Sequence, residues 1–343
     1  MRAVIAHDLS GIDGLRLETV PSPVLRPGGV RIAVRAAGVS FANLLVIEGR
    51  HQNRAEPPFT PGTEVAGVVT ELAPDAGGGL KLGDRVCAGL PSGGFAEEVV
   101  ATDDNVFPIP DRLGFPAATL FPTIYATAFC GLVWRAALAP GETLLVHGAA
   151  GASGLAAVEI GKALGATVIA TAGGEAKGAA ACAHGATHVI DHRRDDVRAA
   201  VLDLTGGRGA DVVFDPVGGD LFDASLRCIA PLGRLLTIGY ASGRIPSIPA
   251  NLLLVKNISA IGLYWGFYMA WGKTQASPAL RAKVRGMFGD MFQLFEKGLL
   301  RPEVDRELPL ASFAEGLRRV QDRGVIGKIV LLPDGDGASA RAG

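Results

Sequence analysis

The chain has 343 residues, 48% of them hydrophobic and 20% charged, a length beyond what one core usually fills and a composition that excludes a disordered protein. With 33 Lys and Arg against 34 Asp and Glu the formal net charge is -1, so no overall field draws the protein to nucleic acid or to an anionic membrane surface. Cys87, Cys130, Cys182 and Cys228 lie far apart with no CxxC pair; neither a disulfide framework nor a zinc knuckle is expected, and they read as buried thiols of a cytoplasmic protein.

In chain order, the N-terminus MRAVIAHDLSG meets Asp8 before an apolar stretch develops, which argues against a secretory signal. From Met1 to about Asp111, short β-rich runs (RAVIAH, LRLETV, VRIAVRAAGV, EVAGVVTEL, DRVCAGL, FAEEVVA) are separated by Pro21, Pro23, Pro27-Gly28-Gly29, Pro61-Gly62 and Ser92-Gly93-Gly94. That is the pattern of a barrel-like all-β unit. Between about Phe121 and Tyr264 the apolar runs ETLLVHG, TVIATAG, THVID, ADVVFDPVG, GRLLTIGY and SAIGLYW alternate with helix-length stretches, the signature of βαβ units around a buried parallel sheet. The apolar stretch between Lys256 and Lys273 is broken by glycines and falls short of the roughly 18 residues of a membrane span, so it reads as buried strand and loop. Within it, Ile258 to Trp265 is expected to form the last, edge strand, whose unpaired backbone groups invite a second copy and hence a homodimer. Ser277-Pro278 opens a helix that Gly298 could end. Ser312-Phe313-Ala314-Glu315 has the form of a capping box, GKIVLLP gives a last strand, and residues 334–343 are expected to be disordered.

The stretch LLVHGAAGASGLAAVEIGKALGATVIATAGGEAK, Leu144 to Lys177, passes from a strand through small residues into a helix and a second strand. Ala149, Gly151 and Gly154 occupy the positions of a G-x-G-x-x-G fingerprint, with alanine in place of the first glycine. The chemistry asks there for a tight turn, for backbone N–H groups close to a pyrophosphate, and for close helix–strand packing. A cofactor with a free ribose 2′-OH usually meets Asp or Glu about 20 residues after such glycines. Ala172-Gly173-Gly174 stands at that place, and Glu175 reads as an exposed residue of the next helix. Lys177, with His192, Arg193 and Arg194 after the third strand, could instead meet a 2′-phosphate, which favours NADPH as cofactor.

These motifs, with DVVFDPVGGDLFDASLR, GRLLTIGYASG and IGKIVLLP and with the N-terminal AAGVSFANLLVIEGRHQ and PFTPGTEVAGVV, resemble the zinc-independent quinone oxidoreductases of the medium-chain dehydrogenase/reductase superfamily, from about Met1 to Pro333. The resemblance implies an α/β protein in which a Rossmann domain, a doubly wound parallel sheet, is inserted in a GroES-like β-barrel catalytic domain. Residues 1–122 and 265–333 would form the catalytic part and 123–264 the cofactor-binding part, with cofactor and substrate in the cleft between them. It assigns cofactor contacts to Thr127, to the turn of Ala149, Gly151, Ala152 and Ser153 with Gly154, to Gly173, Lys177, His192, Val217, Gly218, Gly239 and Tyr240, and to Lys328. Ser153 stands where the family commonly has Val or Ile, and His192 where it often has Tyr.

Zinc-dependent relatives carry a cysteine in the region of Ser40, a histidine where this chain has Gly62-Thr63-Glu64, and a four-cysteine lobe; none is present here, so no metal is expected. His184, His188 and His192 would align on a helix, but Gly185 and the strand-like THVID argue against that. In the catalytic part Ser40, Asn43 and His51 replace a frequent Asn, Asp and Tyr and would line the substrate side. An imidazole there can donate a hydrogen bond and pass a proton at neutral pH. The reading is therefore metal-free hydride transfer from NADPH to a small, electron-poor conjugated acceptor, first a quinone. The alternatives are reduction of an activated C=C bond in an enone, alkenal or enoyl thioester, and a non-catalytic NADPH-binding redox sensor.

Overall fold

The alternating and continuous apolar runs become strands in two compact units of the computed structural model, which describes residues 1–52, 54–271 and 276–333. The C-terminal residues 334–343, expected to be disordered, lie outside the described residues. The first unit takes Met1–Thr123, Gly266–Glu296 and the chain from Pro302; the second takes Ile124–Trp265 and Lys297–Arg301.

In the first unit, strands β1 (Arg2–Ala6) and β2 (Leu15–Thr19) form an antiparallel pair. The remaining strands are β3 (Gly29–Val39), β4 (Glu64–Leu72), β5 (Arg85–Gly89), β6 (Glu98–Thr102) and β7 (Val106–Pro108). Long β3 is the spine. On one edge it pairs with β4, with register shifts between Arg31/Ile32 and Val34/Ala36; such irregularities bend a strand and increase its twist. Gly29–Ala33 pair with β6, and Ala37–Val39 pair with the last strand of the chain. The inward residues, Ile32, Val34, Val65, Val86, Phe95 and Ile329 among them, form one buried cluster, and each aliphatic side chain removed from water there contributes about 1.5–3 kcal/mol.

The second unit carries β8 (Thr143–Val146), β9 (Thr167–Ala172), β10 (His188–Asp191), β11 (Ala210–Asp215), β12 (Ile229–Thr237) and β13 (Ser259–Gly262). They form a six-stranded sheet in the order β10-β9-β8-β11-β12-β13, parallel throughout. Strand order thus reverses between β8 and β11, and the loops leaving those two strands diverge to opposite sides. That topological switch is where an open α/β sheet binds its ligand. β8 is buried along its whole length, as a strand covered on both faces must be. Two further strands, β14 (Val304–Pro309) and β15 (Lys328–Leu332), return to the first unit, where β15 joins β3.

Three expectations are corrected. The edge strand covers Ser259–Gly262 alone, because Trp265–Tyr268 turn helical. Ser312 makes no side-chain cap: a 3-10 turn, Leu310–Ser312, leads straight into the Phe313–Gln321 helix and leaves Ser312 at φ -91 and ψ 20, outside the extended geometry a cap needs. Its would-be partner Glu315 pairs with Arg319 instead, at 2.9 Å. Cys182 is exposed, on the Glu175–Ala183 helix, whereas Cys87, Cys130 and Cys228 are buried. The helical stretch Phe115–Arg135 is long and apolar enough to cross a membrane, which the sequence reading did not single out; most of it is buried inside the protein, as a core helix is.

Candidate functional site

The switch point is built from backbone. After β8 the chain turns at Gly148, whose φ of +58 favours glycine, and the Gly151 N–H donates to the Gly148 carbonyl at 3.0 Å. Gly151 then caps the Ala152–Ala163 helix without any side-chain cap. The first N–H groups of a 12-residue helix, starting at Ala152 and Ser153, are thus left to an anion. A Cβ on Gly154 would stand 2.6 Å from Ala149 Cα, so only glycine lets the helix lie this close to the turn. The sequence placed alanine at the turn position of the fingerprint; the structure gives the turn to Gly148, one residue earlier. Buried Ala149 instead ties the loop to β9, its N–H donating to the Thr171 carbonyl at 3.0 Å.

At the end of β11, Asp215 Oδ1 accepts from the backbone N–H groups of Val217 at 2.7 Å and Gly218 at 2.9 Å. Its Oδ2 is buried and has no hydrogen-bond partner among the described residues. Gly218 lies against the Tyr240 ring, 3.2 Å from where its Cβ would be, and Gly239 lies similarly 3.3 Å from the Pro216 carbonyl. Val217, Gly218, Gly239 and Tyr240 are therefore brought together beside the glycine turn.

On the other side of the turn, Gly173 and Gly174 rather than a carboxylate stand at the end of β9, and Glu175 belongs to the next helix. A Cβ on Gly173 would meet Arg193 Nε at 2.6 Å and His192 Cε1 at 3.1 Å. Burial holds the His192 imidazole below its ordinary 6.5 against the opposing pull of Asp191, and the charges of Arg193 and Lys177 lower it further. Asp191 is held below the usual carboxylate range by the backbone N–H groups of Arg193 and Gly174 and by the His192 and Arg193 side chains. His192 and Arg193 thus lie against Gly173, and Lys177 is near enough to act on the His192 ring electrostatically. The glycine turn, the orphaned Asp215 oxygen and this cationic corner fit the pyrophosphate, hydroxyls and a phosphate of a dinucleotide. Thr127 lies half-buried in the Ala126–Phe129 helix of the same unit.

Beneath the cradle is His147. Its Nδ1 lies 3.0 Å from Thr171 Oγ1 and its Nε2 2.7 Å from Ser225 Oγ. The Ser225 hydroxyl donates to the Leu221 carbonyl at 2.9 Å, so it accepts from Nε2–H, and Nδ1 accepts from Thr171. This neutral ring pins the end of β8 to β9 and to the Gly219–Cys228 helix, and burial lowers its proton affinity.

In the first unit, Ser40 precedes the short Phe41–Ile47 helix. Its N–H donates to Asn43 Oδ1 at 2.7 Å and its hydroxyl to the same oxygen at 3.0 Å. Asn43 is buried, and its Nδ2 has no partner among the described residues. His51 is half-buried just beyond this helix, its backbone N–H on the Leu45 carbonyl at 3.1 Å. Lys328 is buried in an ion pair with Glu64, whose other oxygen accepts from Thr123. His184 bonds Glu159 at 2.6 Å while His188 opens β10, so the histidine series does not converge. Among the described residues, no group of three or more His, Cys, Asp or Glu could hold a metal ion. Sequence reasoning missed Gly148, Asp215, Glu64 and Thr123. Asp215 alone left a signal, as the Asp of DPVGG, a residue type that bonds the backbone ahead of it in a turn.

Two family models match the chain: zinc-binding dehydrogenase over residues 152–279 and alcohol dehydrogenase GroES-like domain over residues 26–111. Quinone oxidoreductase-like protein 2 of Bos taurus is 39% identical over 316 residues, 92% of this chain and 87% of the relative. A mycobacterial protein solved with NADPH superposes with a TM-score of 0.88 at 27% identity, over 97% of this chain and all of that one. A 2-haloacrylate reductase superposes with a TM-score of 0.82 at 29% identity, covering 98% of this chain.

His147 makes a prediction about pH. A histidine held below 6.5 in the fold takes up protons more readily when unfolded, so folding loses stability as pH falls below the unfolded value, by at most about 1.4 kcal/mol per pH unit. Urea unfolding between pH 7 and 5 should show a shallower acid loss for His147→Gln than for the wild type; equal slopes would remove the buried neutral imidazole.

Proposed function

The chain belongs to the zinc-independent quinone oxidoreductase family of the medium-chain dehydrogenase/reductase superfamily, an oxidoreductase family, and on that premise we propose that it moves hydride from NADPH to a quinone or a similar conjugated acceptor. The carrying observation is the end of β9: an uncharged Gly173 under Arg193, with His192 and Lys177 beside it. A ribose 2′-OH would find no carboxylate there, while a 2′-phosphate would find charge-assisted donors. NADPH supplies the hydride from its nicotinamide C4. The protein's part is to seat it: the Gly148 to Gly154 turn with Ala152 and Ser153 at the pyrophosphate, and Val217, Gly218, Gly239, Tyr240, Thr127 and Lys328 along its length.

On the acceptor side, hydride addition leaves negative charge on oxygen, which needs a donor. We assign this to Ser40, Asn43 and His51. Asn43 keeps a buried amide N–H group without a partner among the described residues, and His51 can deliver a proton near neutral pH. Reduction of an activated C=C bond is the second reading, supported by the likeness to 2-haloacrylate reductase. Steady-state kcat/KM values for quinones against enones decide between them, and no NADPH oxidation with either would end both.

The assembly we propose is a cytoplasmic homodimer. β13 is last in the sheet order and pairs with β12; Ser259, Ala260 and Gly262 are exposed, and Leu254 and Val255 nearby are 77% and 72% exposed. Such an edge beside apolar surface suits a second copy better than water.

The cofactor assignment predicts that Lys177→Ala weakens NADPH binding by about 1–3 kcal/mol and leaves NADH affinity unchanged in a fluorescence titration; equal loss for both nucleotides would refute the phosphate role. His51→Phe should lower kcat about 10- to 1000-fold at unaltered NADPH affinity, and a wild-type kcat would move the proton donor elsewhere. Light scattering at micromolar concentration should return twice the chain mass of 35.3 kDa; a monomer would contradict the edge-strand interface.

A further inference from the structure

The ion pair between Lys328 and Glu64 is among the most enclosed charge pairs of the first unit, with side chains 2% and 0% exposed. Burying such a pair adds little or nothing to stability compared with apolar packing, yet the fold makes room for it. A Cβ on Gly38 would stand 2.7 Å from Lys328 Cε and 2.9 Å from Glu64 Cγ, so β3 gives up a side chain where the pair lies against it. Both Glu64 oxygens are committed, one to Lys328 and one to the Thr123 hydroxyl. The ammonium is not: Glu64 is its hydrogen-bond partner among the described residues, and it has further N–H donors to offer. The β3–β15 ladder runs from Leu331↔Ala37 through Ile329↔Val39, which sets Lys328 at the Ser40 end of β3.

We propose that Glu64 is a positioning residue that acts through Lys328: it fixes the ammonium in place and in its charged form, so that the remaining N–H groups can bind an anionic oxygen of the nicotinamide nucleotide. This rests on the reading above that Lys328 is a cofactor contact, and adds to it the carboxylate that makes a buried lysine usable. Among the described residues, Glu64 is the charged side chain paired with Lys328. β3 presents Gly38, β14 pairs Val304 with Lys328, and Glu303 accepts the Lys328 backbone N–H with its carbonyl. The Phe313–Gln321 helix meets β15 through Gly316 at Ile329, while its Glu315 and Arg319 pair with each other and Arg318 pairs with Asp13. Thr123 is uncharged. Glu64 is thus the counter-charge to Lys328 among the described residues; a buried ammonium without one is disfavoured against the neutral amine, which holds an anionic oxygen poorly.

The test is NADPH affinity of the full-length protein, read by nucleotide fluorescence between pH 6 and 8.5. Glu64→Gln keeps the shape and removes the charge. Its affinity should lie within about threefold of wild type at pH 6 and fall at least tenfold below it at pH 8.5, approaching Lys328→Met, which should be weak at every pH. A Glu64→Gln profile parallel to wild type overturns the positioning role. Wild-type affinity in Lys328→Met overturns it too, and shows that the failure lies in Lys328 as a cofactor contact. Should Glu64→Gln not fold, Thr123→Val frees one Glu64 oxygen and should weaken NADPH by about two- to fivefold, a loss of one modest hydrogen bond; unchanged affinity in that variant again overturns the proposal.

Discussion

The cofactor cradle depends on one close approach, that of Gly154 to the turn after β8. With Gly154 lying over Ala149, the Ala152–Ala163 helix begins beside the strand end rather than a side chain's width away. Its uncapped first turn therefore points at the place where the sheet order reverses. A pyrophosphate can then be met by backbone dipoles, which need no reorganisation and carry no competing side chain. The layers below keep that turn still. Ala149 is bonded to Thr171, His147 sits neutral between Thr171 and Ser225, and Asp215 holds the Val217–Gly218 turn by two backbone N–H groups. Small residues make the surface of the cradle, and buried polar contacts make its floor.

Much of this was legible in the sequence because it is local. Buried parallel strands show as continuous apolar runs, and the glycines of the turn fall at fixed spacings between a strand and a helix. The missing acid at Ala172-Gly173-Gly174 could be read directly, and with it the basic set Lys177, His192, Arg193 and Arg194, of which His192 and Arg193 lie against Gly173. What escaped was set by contacts distant in sequence. Nothing in GAAGAS says that Gly148 rather than Ala149 takes the left-handed turn; that follows from Ala149 being drawn onto β9. Ser312 and Glu315 have the spacing of a capping box, yet the preceding 3-10 turn rotates Ser312 away from it. Asn43 and Ser40 drew notice as acceptor-side residues, while their mutual hydrogen bonds at the start of a short helix did not. Glu64 and Lys328 are 264 positions apart, and it is the pairing of β4 and β15 with β3 in the first unit that brings them together.

The two units divide the chemistry by type of interaction. In the second, recognition is backbone and cationic, suited to an anionic nucleotide. In the first, the polar groups are few and enclosed: a buried amide with an uncommitted donor, a half-buried imidazole and a lysine held by a carboxylate. Such groups act strongly because water does not screen them. Under the function proposed above, the Asn43 amide and the His51 imidazole would meet charge arising on an acceptor oxygen, while the Lys328 ammonium would serve the nucleotide.

The most direct test of the account is the fate of the hydrogen at the nicotinamide C4. NADPH deuterated there, turned over with a quinone and with an enone, should transfer its label to the reduced acceptor, or to the exchangeable hydroquinone position with a primary isotope effect on the chemical step. Single-turnover oxidation of bound NADPH should show the same slowing. Oxidation of NADPH that is indifferent to deuteration, or the absence of any oxidation with either acceptor while the nucleotide binds tightly, would contradict hydride transfer as the function of this fold.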